Sequence, residues 1–290
     1  MDSEYVLAIA QIITSGLLIG AVYALTACGL NLIFGVMSIM NMAHGELLML
    51  GAFTTYGLFS FGLLNPIASL LVSIPLLFLF GVVLQRFLFE RMVSESPFPT
   101  LLMSFGLSIL IVSTGLLAWS ANYRSIPYFS GSLLIGELAL PRARLVTAAI
   151  AVALTAGAFL FLRSTRIGKA VRATAQNTMA ARACGIDVRR VRMIAFGLGA
   201  AMAGAAGTLI SMNYAFNPDV GQVFVLKCFA IVILGGLGSF PGAFIGALIL
   251  GVVEGLTGFI FTSQVSEIAS YLLIIFVLLL RPTGILGLRR

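Results

Sequence analysis

The sequence predicts an all-α protein, a single transmembrane helical bundle over residues 1–290. Hydrophobic residues make up 60% of the chain and charged residues only 9%, and the mean hydropathy is +1.11. This composition is typical of polytopic membrane proteins. The charges that remain are concentrated in a basic segment at 163–192, which lies between long apolar runs. We therefore expect one membrane domain with a polar insertion.

Nine apolar runs are candidates for membrane spans. A helix needs roughly 20 apolar residues to cross the hydrocarbon core. On that criterion we predict broken and unbroken spans near residues 6–29, 42–62, 66–85, 100–120, 144–162, 193–212, 222–237, 242–261 and 268–281. Eight spans remain the alternative, in which 222–237 enters the membrane without crossing it.

Basic flanks set the orientation, because Lys and Arg are enriched in cytoplasmic loops. Arg86 and Arg91 follow the third run, the basic segment follows the fifth, and Arg281 follows the last. Nine crossings place all these flanks inside, whereas eight leave the last one outside. We therefore favour nine, with the amino terminus outside and the carboxyl terminus in the cytoplasm.

Two places in the apolar sequence carry residues that weaken helices. The first joins Gly29–Gly35 to Met37–Gly45, and the second is the glycine- and proline-containing run Gly235–Gly242. Irregular backbone at membrane depth is tolerated only against protein or a water-filled cavity. Interrupted segments in both halves of a transporter indicate a translocation path.

A row of small residues follows the second interruption. Gly238, Gly242 and Gly246, then Gly251 and Gly255, recur at four-residue intervals. This spacing lets another helix backbone approach closely. The partner helix belongs either to the same chain or to a second subunit.

The sequence of the basic segment predicts a structured cytoplasmic element. It holds eight of the chain's 17 Lys and Arg residues against one acid, Asp187. Gly168 and Gly185 alternate with alanine-rich helix formers, which predicts two short helices joined by a turn, a shape suited to docking on a partner. The alternative is that the positive charge only anchors the loop at anionic lipid, as Arg189, Arg190 and Arg192 are placed to do.

Polar side chains near the first interruption are candidates for a substrate path: Asn31, Asn41, His44 and Glu46. Ionisable residues inside a membrane are costly and usually face a cavity or each other. We predict that His44 and Glu46 are reachable from a cavity or from the cytoplasmic interface. Two alternatives stay open: the charges begin an interfacial helix in water, and the asparagines pair with neighbouring helices.

Lys227 and Glu254 form a second candidate pair. At the rise of an α-helix, both lie roughly 17–20 Å from the turn at 238–241 that joins their spans. This predicts an intramembrane ion pair. The alternative is that each side chain extends separately to the outer interface.

Several classes of function are disfavoured by what the sequence lacks. It contains no G-x-x-x-x-G-K-[ST] phosphate loop, so it does not bind ATP by that route. One histidine and scattered acids give no nucleophile or metal cluster, and Cys28, Cys184 and Cys228 have no metal or disulfide spacing. The net charge of +7 is explained by cytoplasmic flanks, so we exclude nucleic acid as a partner. We predict neither an enzyme nor a resident cofactor.

Three separated blocks carry a family resemblance that covers nearly the whole chain. They are GLNLIFGVMSIMNMAHGELLMLGAF (29–53), STRIGKAVRATAQNTMAARACGIDVRRV (164–191) and KCFAIVILGGLGSFPGAFIGALILGVVE (227–254). In this order they resemble the branched-chain amino acid ABC transporter permeases of the LivH type. The resemblance implies a partner set of a second, LivM-like permease, two cytoplasmic ATPase subunits that bind ATP and Mg²⁺, and a periplasmic or lipid-anchored substrate-binding protein.

The resemblance also identifies 163–192 as the segment that couples to the ATPases. The run 180–185 stands where other importers carry an EAA-like turn, although Asn177-Thr178-Met179 replaces the glutamate of that motif. The residues it implies for coupling are Arg166, Gly168, Lys169, Arg172, Ala180, Ala181, Arg182, Gly185 and Asp187.

The sequence thus predicts a permease subunit of an ATP-driven importer for leucine, isoleucine, valine or related neutral amino acids, in the inner membrane of a bacterium. One alternative is an ABC permease for urea or short amides. Another is an ion-coupled secondary transporter that depends on His44 or Glu46 and works without an ATPase.

Overall fold

The computed structural model describes residues 2–92, 97–129, 131–261, 263–281 and 283–287. Within these ranges the chain is almost entirely helical. Its helices are α1 (Asp2–Met37), α2 (His44–Ser60), α3 (Leu70–Phe87), α4 (Pro97–Trp119), α5 (Arg142–Ser164), α6 (Arg166–Gln176), α7 (Thr178–Ala183), α8 (Val188–Ser211), α9 (Val220–Gly235), α10 (Phe240–Ile260) and α11 (Ser263–Leu280), with a 3₁₀ turn at Phe89–Arg91.

The predicted all-α membrane bundle is confirmed, and each of the nine predicted spans corresponds to one helix. Six helices in the described ranges are long and apolar enough to cross a membrane: α1, α3, α4, α5, α8 and α10. α2 and α9 have only 17 and 16 residues. The count of nine is therefore higher than the number of helices that meet the length criterion.

The two ends of the bundle differ in what they carry. α6 and α7 lie at one end, which we call the basic end. The other end carries a two-stranded antiparallel hairpin, β1 (Ser132–Ile135) and β2 (Leu138–Pro141), and we call it the hairpin end. The hairpin was not predicted from the sequence, and its two-residue turn contains Gly136 with φ +64°.

α1 and α8 form the centre of the bundle. Their most apolar windows are 78% and 83% buried, whereas those of α3, α4, α5 and α10 are only 28–33% buried. Close glycine contacts permit this packing. A Cβ atom at Gly16 of α1 would lie 2.6 Å from the carbonyl oxygen of Gly251 in α10, and one at Gly29 would lie 2.8 Å from that of Gly199 in α8. The glycine row of α10 thus packs within the chain.

The interruption expected at Gly29–Gly35 is wrong, because α1 continues without a break to Met37. Gly29 packs against α8, so tertiary contact compensates for the low helix propensity of glycine. The break comes later, at residues 38–43, where Ser38 has φ +55° and no helix forms until His44. The second interruption is the turn between α9 and α10, with Gly236 at φ +106° and Gly238 at φ +82°.

Candidate functional site

The break between α1 and α2 is held by α4. Ser104 Oγ donates a hydrogen bond to the carbonyl of Met40 (3.3 Å) and accepts one from the backbone N–H of Met42 (3.1 Å). Asn41 Oδ1 accepts from the N–H of Ala43 (3.1 Å), while Asn41 Nδ2 is buried and has no partner. Side chains thus satisfy part of the irregular backbone, as membrane depth requires.

His44 and Glu46, at the start of α2, are both fully buried. His44 Nε2 lies 3.1 Å from the carbonyl oxygen of Thr26 in α1, and Glu46 Oε1 accepts from Ser108 Oγ of α4 (2.8 Å). His44 Nδ1 and Glu46 Oε2 have no partner, and Glu46 packs directly against Gly221 of α9. The expectation that the two side chains are reachable is therefore wrong in this structure, because α1, α4 and α9 close over them.

Asn31 holds the turn between α9 and α10. Its Nδ2 donates to the carbonyls of Ser239 (2.7 Å) and Gly236 (3.3 Å), and its Oδ1 accepts from the N–H of Gly238 (2.6 Å). The side chain is 2% exposed. Its amide therefore pairs with the neighbouring turn, which was the alternative to lining a path.

Residues after α11 hold the same turn from another side. The N–H of Ile285 donates to the carbonyl of Leu234 (2.8 Å), and that of Leu286 donates to the carbonyl of Gly235 (3.0 Å). These contacts satisfy carbonyls at the end of α9 that lack helical partners. The turn at the basic end is thus fixed to both α1 and the chain's last described segment.

A cluster of buried hydroxyl groups joins α2, α3 and α8. Thr208 Oγ1 lies 2.9 Å from Thr55 Oγ1 and 3.0 Å from Ser73 Oγ, and Ser69 Oγ donates to Thr55 Oγ1 (3.0 Å). All four residues are fully buried. This cluster was not predicted from the sequence. Isolated Ser and Thr residues in apolar runs do not indicate a shared site unless it is known which helices are neighbours.

Lys227 and Glu254 lie in contact as an ion pair, with their side chains 11% and 17% exposed. Lys227 Nζ also lies 3.4 Å from Tyr23 Oη and over the rings of Tyr23 (5.2 Å) and Phe224 (5.7 Å). The pair borders a cavity of about 590 Å³ towards the hairpin end. Arg144, at the start of α5, lies on the same cavity and donates to Ser15 Oγ.

The segment 163–192 contains the two short helices that its sequence predicts, α6 and α7. Thr165 caps α6 by accepting from the N–H of Gly168 (3.0 Å), and Asn177 caps α7 by accepting from the N–H of Ala180 (3.0 Å). α7 ends at Ala183, and Gly185 turns the chain two residues later with a φ of +79° that suits glycine. Asp187 then caps α8 through the N–H of Arg190 (3.1 Å). Each of the three helices therefore begins at a residue whose side chain caps it.

The residues implied for coupling divide into two groups. Gly168 and Ala181 are buried, and a Cβ atom at Gly168 would clash with the backbone of Leu162, so these two shape the segment. Arg172 donates to the carbonyls of Leu162 and Arg163 at the end of α5. The exposed members are Arg166, Lys169, Arg172, Ala180, Arg182, Gly185 and Asp187.

Arg192 does not extend to lipid as expected. It is 9% exposed, and its Nη1 lies 3.7 Å from Glu90 Oε1, which follows α3. Gln85 Nε2 donates to the other oxygen of Glu90 (3.0 Å). Of these three arginines, Arg189 and Arg190 are exposed and remain candidates for a lipid contact.

Helices of spanning length, joined by close glycine contacts and interrupted beside buried polar side chains, define the chain as a multi-pass membrane protein. The family model described as "Branched-chain amino acid transport system / permease component" matches residues 12–279. The chain belongs to this family. It is accordingly a transport subunit and not an enzyme.

Two relatives represent the similarity along the chain. The high-affinity branched-chain amino acid transport system permease protein LivH of Escherichia coli K12 is 32% identical over 300 residues, which cover 98% of this chain and 97% of LivH. The permease protein LivM of the same transport system and organism is 26% identical over 306 residues, which cover 93% of this chain and 68% of LivM. The chain is therefore more similar to LivH.

A solved structure shares the fold. It is titled "PsaBC from Streptococcus pneumoniae in complex with Fab", and it superposes with a TM-score of 0.55 over 98% of this chain and 97% of the other. At 12% sequence identity this likeness concerns the fold alone.

Proposed function

We propose that the chain is the LivH-type permease of an ATP-driven importer for leucine, isoleucine, valine or related neutral amino acids. It would pair with a second, LivM-like permease, and two cytoplasmic ATPase subunits would bind and hydrolyse ATP. A periplasmic or lipid-anchored protein would deliver the substrate. The complex would lie in a bacterial inner membrane, with the basic end and the carboxyl terminus of this chain in the cytoplasm.

The observation that carries this proposal is the exposed α6–α7 element. Its exposed residues include an apolar one, Met179, which is 81% exposed. A short, locally capped helix with an exposed apolar side chain suits a groove on a partner better than it suits a free loop. α6 in turn packs against α1, α5 and α8, so movement of α7 would reach the central helices.

Similarity to both LivH and LivM supports a pair of different permeases. This chain matches LivH over nearly the full length of both proteins and LivM with lower identity. Two related chains with the same fold would enclose a path between them. The largely apolar character of the helices suits substrates with aliphatic side chains.

Urea or short amides remain the substrate alternative, since a delivery protein would decide specificity more than the permease. Ion coupling is the mechanistic alternative, and one observation favours it: His44 and Glu46 are fully buried and each has an unpartnered polar atom. Such residues occur in proton relays of membrane transporters. An ion-coupled carrier would transport without an ATPase, which separates the two mechanisms.

Co-purification tests the ATPase coupling directly. The tagged chain is expressed from its native neighbourhood of genes, extracted from membrane, and its bound subunits are identified by mass. We expect two ATPase copies and a second permease with the wild type. Ala180→Glu with Arg182→Glu should lose the ATPases and keep the second permease, because both residues are exposed while the buried Ala181 and the cap Asn177 are untouched.

Arg189→Glu serves as the matched control. It also reverses one exposed basic charge of the segment, but on the first turn of α8 and outside α6 and α7. Equal ATPase loss in this control would indicate general electrostatics and not a defined docking surface. A folded wild-type chain that purifies without any ATPase, and still drives uptake in vesicles, would overturn the importer proposal in favour of ion coupling.

A further inference from the structure

The cavity beside the Lys227–Glu254 pair lies between the first half of α1, α9 and α10, and reaches Arg144 and Tyr214 near the hairpin end. Its volume of about 590 Å³ is within the range of small-molecule sites, on the order of 300–1,000 Å³. Glu254 lies six residues before the end of α10 at Ile260, or roughly 9 Å along the helix. The cavity therefore occupies the part of the bundle that faces outward in the proposed orientation.

The walls of the cavity combine two chemistries. Ile12, Ile19, Val220 and Val223 provide aliphatic surface, and Gly251 and Gly255 of α10 also line the cavity. Charge is provided by Lys227, Glu254 and Arg144. Apolar walls with a few converging charges are typical of ligand sites.

The Lys227–Glu254 pair keeps partial exposure, in contrast to the buried residues His44 and Glu46. His44 and Glu46 are fully buried, whereas the side chains of Lys227 and Glu254 keep 11% and 17% exposure, and the pair borders the cavity. Tyr23 and Phe224 place their rings beside the ammonium group, and aromatic faces stabilise a cation. The two rings would therefore still stabilise the ammonium group of Lys227 if its contact with Glu254 were broken.

We propose that this cavity is a binding site for a zwitterionic α-amino acid with an aliphatic side chain. The ligand carboxylate would face Lys227 and Arg144, its ammonium group would face Glu254, and its side chain would lie on the aliphatic wall. The ligand brings one charge of each sign, so it can replace the internal ion pair without leaving an unpaired charge in the membrane. This inference rests on the proposed importer function and assigns it a site within this chain.

The test is equilibrium binding of radiolabelled leucine to the assembled complex in nanodiscs of phosphatidylcholine, without the delivery protein. Lys227→Met with Glu254→Gln removes both charges together, and replacement of a buried ion pair by neutral groups is commonly tolerated by the fold. We expect this double variant to retain its subunits and melting temperature. Its affinity for leucine should fall on the order of 10- to 100-fold, the loss expected for a hydrogen bond to a charged group.

Glu137→Gln with Arg142→Gln is the matched control. It also removes one acid and one base near the hairpin end, but both residues are exposed and neither lines the cavity. The control should bind leucine as the wild type does. Wild-type affinity in the cavity double variant, or no leucine binding by the wild-type complex, would overturn the proposal.

Two further arms identify the ligand. Isovalerate and isoamylamine, which each carry one of the two charges, should compete at least about tenfold more weakly than leucine. Phosphatidylethanolamine also carries an ammonium group and an anion, so binding is repeated in discs that contain it. Leucine displacement by that lipid, with lipid retained by the wild type and not by the double variant in native mass spectrometry, would overturn the amino-acid assignment.

The outcomes for the site and for the importer are distinct. A wild-type complex that keeps its ATPases and takes up leucine, together with an unaffected double variant, contradicts the site alone. A chain that purifies without ATPases contradicts the importer proposal before any binding is measured.

Discussion

The glycine-packed centre and the α6–α7 element use their residues in opposite ways. In the centre, backbones of α2 and α8 touch at Gly51 and Gly204, so no larger side chain fits. In α7, Met179 and Ala180 are exposed and pack against little of the chain. The comparison separates residues that decide whether the bundle forms from exposed residues that the fold of this chain does not require.

The largest effect is expected from Gly51→Val. A Cβ atom there would lie 2.6 Å from Gly204 Cα, and neither backbone can move without shifting a central helix. We expect a loss of about 3 kcal/mol in the free energy of unfolding, the upper part of the range for overpacking. The melting temperature of the purified chain in detergent, followed by size-exclusion chromatography after heating, measures it.

Gly57→Ala is the control for this experiment. Gly57 lies in the same helix, but a Cβ atom there would meet nothing within 4 Å. Alanine should be neutral or stabilising by up to about 1 kcal/mol, because it has the higher helix propensity. If both variants lost stability equally, glycine contact would not explain the packing of α2 on α8.

A smaller loss is expected from Asn31→Ala. The change removes the three hydrogen bonds by which the buried Asn31 side chain holds the partly exposed turn, to the N–H of Gly238 and to the carbonyls of Ser239 and Gly236. We expect about 2 kcal/mol, since each hydrogen bond contributes about 1 kcal/mol net and water compensates part of the loss. Asn41→Ala, which removes one hydrogen bond to Ala43 and an unpartnered amide nitrogen, should cost clearly less in the same melting assay. Equal losses would show that the turn does not depend on Asn31.

The sequence predicted those features that depend on local composition. Each of the nine apolar runs predicted a helix, and six of those helices in the described residues have the length of a membrane span. Gly168 and Gly185 predicted the two short helices: Gly168 permits the close turn between α5 and α6, and Gly185 has a positive φ after the end of α7. The Lys227–Glu254 contact could be anticipated from helix rise alone, since both residues lie at similar distances from one turn.

The remaining features depend on which helices are neighbours, and a single sequence does not contain that information. Gly29 was expected to interrupt a helix, and it instead lies within α1 and packs against α8. His44 and Glu46 were expected to be reachable, and α1, α4 and α9 bury them. Arg192 was a candidate lipid anchor in the alternative to coupling, and Glu90, far away in sequence, pairs with it. In each case a long-range partner decides the environment, whereas sequence patterns describe one helix at a time.

Thr208→Val tests the buried hydroxyl cluster and should have a moderate effect. Valine keeps the shape of the side chain but removes the oxygen that contacts Thr55 and Ser73. Thr55 Oγ1 retains the carbonyl of Gly51 as an acceptor (3.1 Å), so its loss is partial. We expect about 1 kcal/mol by melting temperature, the net contribution of a typical hydrogen bond. A stabilised variant would mean that the cluster is costly to the fold and is present for another reason.

The smallest effect on stability is expected from Met179→Gln, which changes only an exposed side chain of α7. Glutamine keeps the length of the side chain and suits a helix as well as methionine does, so it removes only the apolar character. Met179 is 81% exposed, and exposed substitutions usually change stability by less than about 0.5 kcal/mol. If Met179 fills an apolar pocket on the ATPase, its loss should instead cost about 2 kcal/mol of binding free energy, the level of an interface hot spot.

The measurement is ATPase recovery with the purified chain across a series of ATPase concentrations, beside the melting temperature of the same sample. Ile167→Gln is the control, because Ile167 is another partly exposed apolar residue of the segment, at 41%, but lies in the first turn of α6. We expect unchanged melting for both variants and weaker ATPase binding only for Met179→Gln. Weakened binding in both would place the docking surface along α6 as well. Unchanged binding in both would mean that the ATPase recognises the basic side chains of the segment and not the apolar tip of α7.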